Sequence, residues 1–113
     1  MYKLCQIDIR NREKIYKQID LLVKKIRQTF SVKRVYLFGS FAKGEIHEGS
    51  DIDLLIIGDF KEGFFERIGK ILDLTDLPVE PLVYTEKEFK KLLEEENPFI
   101  LEVLKTGKLL YKS

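Results

Sequence analysis

The sequence predicts an α/β (α+β) fold, a small β-sheet flanked by helices. Three observations carry that reading. A long N-terminal segment repeats its apolar residues in steps of three and four. Several short β-branched and aromatic runs stop at glycine or at polar turns. Helical and strand patterns then alternate to the end of the chain. The 113 residues are 44% hydrophobic, enough for one modest core, so a single domain over residues 1–113 is expected.

From about Asn11 to Phe30, the apolar positions Ile15, Ile19, Leu22, Val23, Ile26 and Phe30 form one face of a helix. Lys17, Lys24, Lys25 and Arg27 mark the opposite, solvated face. Val32 to Phe38 reads as a strand ending at a glycine, and Asp51 to Ile57 as a second whose last four residues are apolar on both faces. Phe64, Phe65, Ile68, Ile71 and Leu72 suggest another helix, and Val79 to Tyr84 a third strand. Thr85 and Glu88 have the spacing of a capping box, opening a helix to about Glu95. Asn97-Pro98 opens a further helix with proline at its first position, ending near Gly107. Lys108 to Tyr111 reads as a short last strand.

Composition narrows the function classes. Charged residues make up 35% but leave a formal net charge of +1. A protein holding long nucleic acid by charge alone would be more basic, so that partner is not expected. The one cysteine, Cys5, can form no internal disulfide, and no Cys/His set has zinc spacing. The first residues lack the character of a signal peptide and no apolar run has the length of a membrane span. A cytoplasmic protein without membrane attachment is expected.

The informative stretch runs from Leu37-Phe38-Gly39-Ser40 to Ser50-Asp51-Ile52-Asp53. Asp51 and Asp53 are two apart on an expected strand, so both carboxylates point to one face. Adjacent anions repel unless water or cations separate them, and hard cations such as Mg²⁺ favour oxygen ligands. Alone, Asp-x-Asp is common by chance. Gly39 permits a tight turn and close backbone approach, and Ser40 can cap the helix that follows, whose free amides suit a phosphate. Alone, Gly-Ser is an ordinary strand-to-helix turn. Together they place a phosphate-binding turn beside a metal-binding pair.

With ten residues between Ser40 and Asp51, this composite motif resembles the signature of the nucleotidyltransferase superfamily that includes DNA polymerase β. The resemblance implies a polymerase beta-like fold with a mixed β-sheet, transfer of a nucleoside monophosphate from a triphosphate such as ATP, and two Mg²⁺ ions. It also implies a third carboxylate on a later strand, for which Glu80 in Pro78-Val79-Glu80-Pro81 is the candidate. The family more often has aspartate there. Pro81 removes a backbone donor, which suits an edge strand or a bulge. Asp73 and Asp76 are rivals on or just past a helix. Lys43 stands where the family often has a basic residue for the triphosphate, though as a loop lysine it can equally be a solvated charge. Ser50, with Gly49, shapes the entry to the second strand and is within reach of phosphate. His47, Glu45 and Glu48 read as loop residues.

The initial helix, the motif, the third strand and the closing segment from Asn97 through Tyr111 together resemble the minimal nucleotidyltransferase group. Those proteins are commonly encoded beside a HEPN-domain protein. In characterised pairs the HEPN protein is an RNase toxin and the nucleotidyltransferase its antitoxin, able to adenylylate a tyrosine on it. The resemblance implies the same partner here, with Asp51, Asp53 and Glu80 as metal ligands and catalytic residues, and Glu80 as ligand or general base. About 60 residues follow Asp53, little chain for an acceptor domain. The acceptor site is therefore expected to be completed by a partner or by a second copy. An antitoxin acting by binding alone, and an enzyme modifying a small molecule such as an aminoglycoside, are the alternatives.

Overall fold

A computed structural model describes residues 12–45 and 49–113. Cys5, His47 and Glu48 lie outside the described residues. The elements run α1 (Arg12–Thr29), β1 (Ser31–Phe38), α2 (Ser40–Lys43), β2 (Ile52–Asp59), α3 (Phe64–Leu72), β3 (Val79–Thr85), α4 (Glu86–Glu94), α5 (Pro98–Thr106) and β4 (Lys108–Lys112).

The four strands form one mixed sheet in the order β3-β2-β1-β4. β1 is antiparallel to both β2 and β4, whereas β2 and β3 are parallel and joined through α3. Strand alternation divides the core in two. Val35 and Leu37 of β1, Ile52, Leu54 and Ile56 of β2, and Val79 and Val83 of β3 pack with the buried stripe of α1 and with Ile71 of α3. Tyr36, Leu55 and Ile57 pack on the opposite face against Phe89 of α4 and Ile100 and Val103 of α5. Sandwiched between helical layers, β2 is buried from Ile52 to Gly58 except at Asp53, which accounts for its run of apolar residues. Pro81 lies on β3, an edge strand paired only with β2, where a missing amide donor leaves no ladder bond unmade.

The expected caps form. Thr85 accepts from the Glu88 amide at 3.1 Å while Glu88 accepts from the Thr85 amide at 2.8 Å. The Asn97 side chain accepts from the amides of Phe99 and Ile100 at 3.0 and 3.1 Å. Ser40 departs from expectation. Gly39 is the cap of α2, Ser40 is its first helical residue, and no side chain caps it. Gly39 takes φ 70° and ψ −150°, a conformation that turns the chain sharply and leaves Ser40 inside the helix.

One buried cation had no pattern to announce it. Arg67 of α3 is 7% exposed. Its guanidinium donates to Glu88 at 2.7 Å, to the Val83 carbonyl at 3.2 Å and to the Glu62 carbonyl at 2.8 Å, tying α3, β3 and α4 together. Burial pushes the Glu88 carboxyl up, but its bonds to Arg67 and Thr85 outweigh this and hold it below the usual range. Arg67→Ala is expected to cost about 2–3 kcal/mol. That is less than a fully buried pair, because Glu88 is partly solvated. The part owed to Glu88 ionisation is present above the ordinary carboxylate pKa and is lost as pH falls through the depressed value in the fold. Denaturant melts across the acid range should therefore show the gap between the two proteins narrowing below about pH 4.

Candidate active site

The topology brings the motif together. β1 and β2 are antiparallel, so the end of β1 meets the start of β2, and β2 and β3 are parallel, so their starts coincide. The register aligns Phe38, Asp53 and Glu80 in one row across β1, β2 and β3. Alternation places all three on the face covered by α4 and α5, since Tyr36, Leu55 and Leu82 of the next row belong to that core. The row lies one step beyond the apolar rows, so a half-buried Asp53 and an exposed Glu80 reach solvent at the rim of the sheet.

Asp51 lies one residue ahead of β2, where the Ile52 amide donates to the Pro78 carbonyl at 2.8 Å. The expected strand from Asp51 to Ile57 thus begins and ends later than the sequence suggests. Glu80 is nevertheless near enough to both Asp51 and Asp53 for their charges to act on it, so the three carboxyls form one electrostatic cluster. Asp73, which caps the end of α3, and Asp76 are both exposed and outside this row.

The electrostatics follow from the crowding. Partial burial raises the Asp53 pKa, a hydrogen bond from Glu80 opposes this, and the Asp51 charge adds to the rise. For Glu80 every influence acts upward: burial, the charges of Asp51 and Asp53, and its hydrogen bonds to them. Burial and the neighbouring charges thus favour a proton on Glu80. Among the described residues no group of three or more His, Cys, Asp or Glu side chains has the arrangement of a preformed metal cage. A donor set of three clustered carboxylates nonetheless suits hard divalent cations.

The glycine turn is built against the same acid. A Cβ at Gly39 would overlap an Asp53 carboxylate oxygen, so only glycine lets the backbone lie on that side chain. α2 is pinned from beneath. Phe41 is fully buried, and the Tyr16 hydroxyl donates to the Phe41 carbonyl at 2.8 Å. Of the remaining candidates, Ser50 is buried just before Asp51, and Lys43 is exposed on the last turn of α2.

Comparison with known proteins gives the family. The family model described as polymerase beta nucleotidyltransferase matches residues 17–113. The chain belongs to that nucleotidyltransferase family. It is 34% identical over 103 residues to the Methanocaldococcus jannaschii protein MJ0604, provisionally named a protein adenylyltransferase, covering 89% of this chain and 99% of that one. A shorter stretch of 39 residues is 44% identical to the protein adenylyltransferase MntA of Thermococcus cleftensis, covering 34% of this chain and 37% of MntA. Among solved structures, a Sulfolobus solfataricus protein provisionally described as a nucleotidyltransferase superposes with a TM-score of 0.66 at 24% identity, over 92% of this chain and 86% of that one. A toxin–antitoxin structure with AMP-PNP superposes with a TM-score of 0.55 at 22% identity, over 91% and 74%. These two likenesses establish the nucleotidyltransferase fold. Among the described residues no helix is long and apolar enough to cross a membrane.

Proposed function

We propose that this chain is a cytoplasmic, Mg²⁺-dependent protein adenylyltransferase. It would transfer AMP from ATP to a tyrosine of a HEPN-domain RNase toxin and thereby act as the antitoxin. The observation that carries the reading is the meeting of the Gly39-Ser40 turn with Asp51, Asp53 and Glu80 at one sheet rim. The relative named for protein adenylylation, matched along nearly its whole length, and the fold shared with a toxin–antitoxin protein support the choice of acceptor.

In this reading the Gly39-Ser40 turn and the first amides of α2 receive the terminal phosphates, with Lys43 and Ser50 beside them. Asp51, Asp53 and Glu80 are the residues that would hold two Mg²⁺ ions, which would offset the triphosphate charge and ease ionisation of the acceptor hydroxyl. Glu80 lies on the β3 side, away from the glycine turn, and so faces the acceptor. Where Glu80 serves as the general base and not as a ligand, its carboxylate takes the hydroxyl proton. The acceptor oxygen forms a bond to the α-phosphorus, the bond from that phosphorus to the bridging oxygen breaks, and pyrophosphate leaves with the electron pair. The chain contributes chiefly positioning and fixed charge. The partner protein, or a second copy, completes the acceptor site.

The test is intact-mass spectrometry of the HEPN partner after incubation with this protein, ATP and Mg²⁺, with the Asp51→Asn/Asp53→Asn double variant alongside. The expected result is a gain of one or more AMP units, absent with the double variant. A stable complex whose partner gains no mass, with any triphosphate, would replace this reading with neutralisation by binding alone.

A further inference from the structure

An aromatic pair stands beside the proposed donor site, and neither the motif nor the carboxylates account for it. Phe38 is the last residue of β1, immediately before Gly39 and in register with Asp53. Phe99, in the first turn of α5, packs edge-on against it, with ring centroids 5.4 Å apart and planes at 82°. Phe38 is half-buried, but Phe99 is 43% exposed although it lies against the core. The Asn97 side chain fixes the start of α5 by accepting from the Phe99 and Ile100 amides, and Ile100 is fully buried behind it. The Phe99 ring is thus held on a rigid helix start with part of its surface open to solvent.

Position along the row decides what such a ring can meet. Glu80 marks the β3 side of Asp53, whereas Phe38 and the Gly39-Ser40 turn mark the β1 side. Phe38 adjoins the turn in sequence and Asp53 in register, and Phe99 packs on it, so the pair borders whatever is held between the turn and the acid. An acceptor approaching Glu80 would arrive from the other side.

We infer that Phe99, braced by Phe38, is the stacking platform for the nucleobase of the donor triphosphate. This rests on the proposed nucleotidyl-transfer site but not on the identity of the acceptor. Every base has a π-face, so the platform favours any nucleoside over bare phosphate, with purines ahead of pyrimidines because they overlap the ring more fully.

Calorimetric titration with AMP-PNP and Mg²⁺ tests the inference without any acceptor, so its outcome is separate from that of the mass measurement. Phe99→Leu keeps apolar packing on Phe38 but lacks a π-face. It is expected to bind AMP-PNP about tenfold more weakly, from a stacking contribution of ~1–3 kcal/mol, to bind inorganic tripolyphosphate as before, and to discriminate less between ATP and CTP. Phe99→Trp should restore binding. An unchanged affinity for AMP-PNP in Phe99→Leu, or an equal loss for tripolyphosphate, would overturn the assignment.

Discussion

Asp53→Asn is expected to reduce AMP transfer by at least about a thousandfold, roughly 4 kcal/mol of transition-state stabilisation, while raising the melting temperature of the metal-free protein. Both effects have one origin. Asp53 is the half-buried member of the acidic set, flanked by Glu80 in register and by the Asp51 charge. Without cations its ionised form opposes folding, and an amide of the same shape removes that opposition. With cations the same charge becomes the ligand the reaction needs. Mg²⁺ should therefore raise the melting temperature of the natural protein and leave that of Asp53→Asn nearly unmoved. A variant that kept full transfer, or that melted lower than the natural protein without Mg²⁺, would remove Asp53 from the site as proposed.

The pH dependence has a definite sign. Asp53 and Glu80 carry raised pKa values in the fold. The stability gained by protonating them is present below the ordinary carboxylate range and is lost as pH rises through the raised values. The melting advantage of Asp53→Asn should accordingly be present near neutrality and shrink on acidification. Protons compete with Mg²⁺ for the same oxygens, so the Mg²⁺ concentration needed for transfer should rise over the same interval.

How far the sequence disclosed this can be judged residue by residue. The stripe from Ile15 to Ile26 set α1, and its members are the buried ones. Local chemistry located the Thr85 and Asn97 caps, and Pro81 marked β3 as an edge strand, because each signal depends only on near neighbours. The motif brought Gly39, Asp51 and Asp53 into view but not their mutual positions. Those depend on β1 running antiparallel to β2, and on a register that no single strand encodes. Asp51 was read as part of the strand, whereas the ladder starts at Ile52. Ser40 was read as a cap on residue type, but the left-handed turn at Gly39 moved the cap one residue earlier. Arg67 and the Phe38–Phe99 pair were not legible, since each joins segments far apart in the chain and resembles an ordinary helical or core residue in its own window.

Gly39→Ala should damage transfer nearly as severely as loss of an acid, although it removes no functional group. The new Cβ would overlap an Asp53 carboxylate oxygen and lie 3.2 Å from the carboxylate carbon. At φ 70° and ψ −150° the backbone is also strained for any residue with a side chain, by about 1–3 kcal/mol. Asp53 has little room to yield. Its backbone is held in the ladder between β1 and β3, and its side chain is engaged by Glu80. Either the carboxylate rotates away or the phosphate turn lifts off it, and a displacement of about 1 Å at reacting groups costs on the order of a hundredfold. Gly44 and Gly49 provide the control. Both have positive φ, of 75° and 83°, but a Cβ at either would meet nothing within 4 Å. Gly44→Ala should therefore lose stability through its backbone alone and transfer AMP at close to the natural rate once folded. Adding Asp53→Ala to Gly39→Ala removes the overlap and should recover part of the lost stability without recovering transfer. Equal activities for Gly39→Ala and Gly44→Ala, measured on folded protein at saturating ATP, would mean that close contact between the turn and the acid is not what the reaction requires.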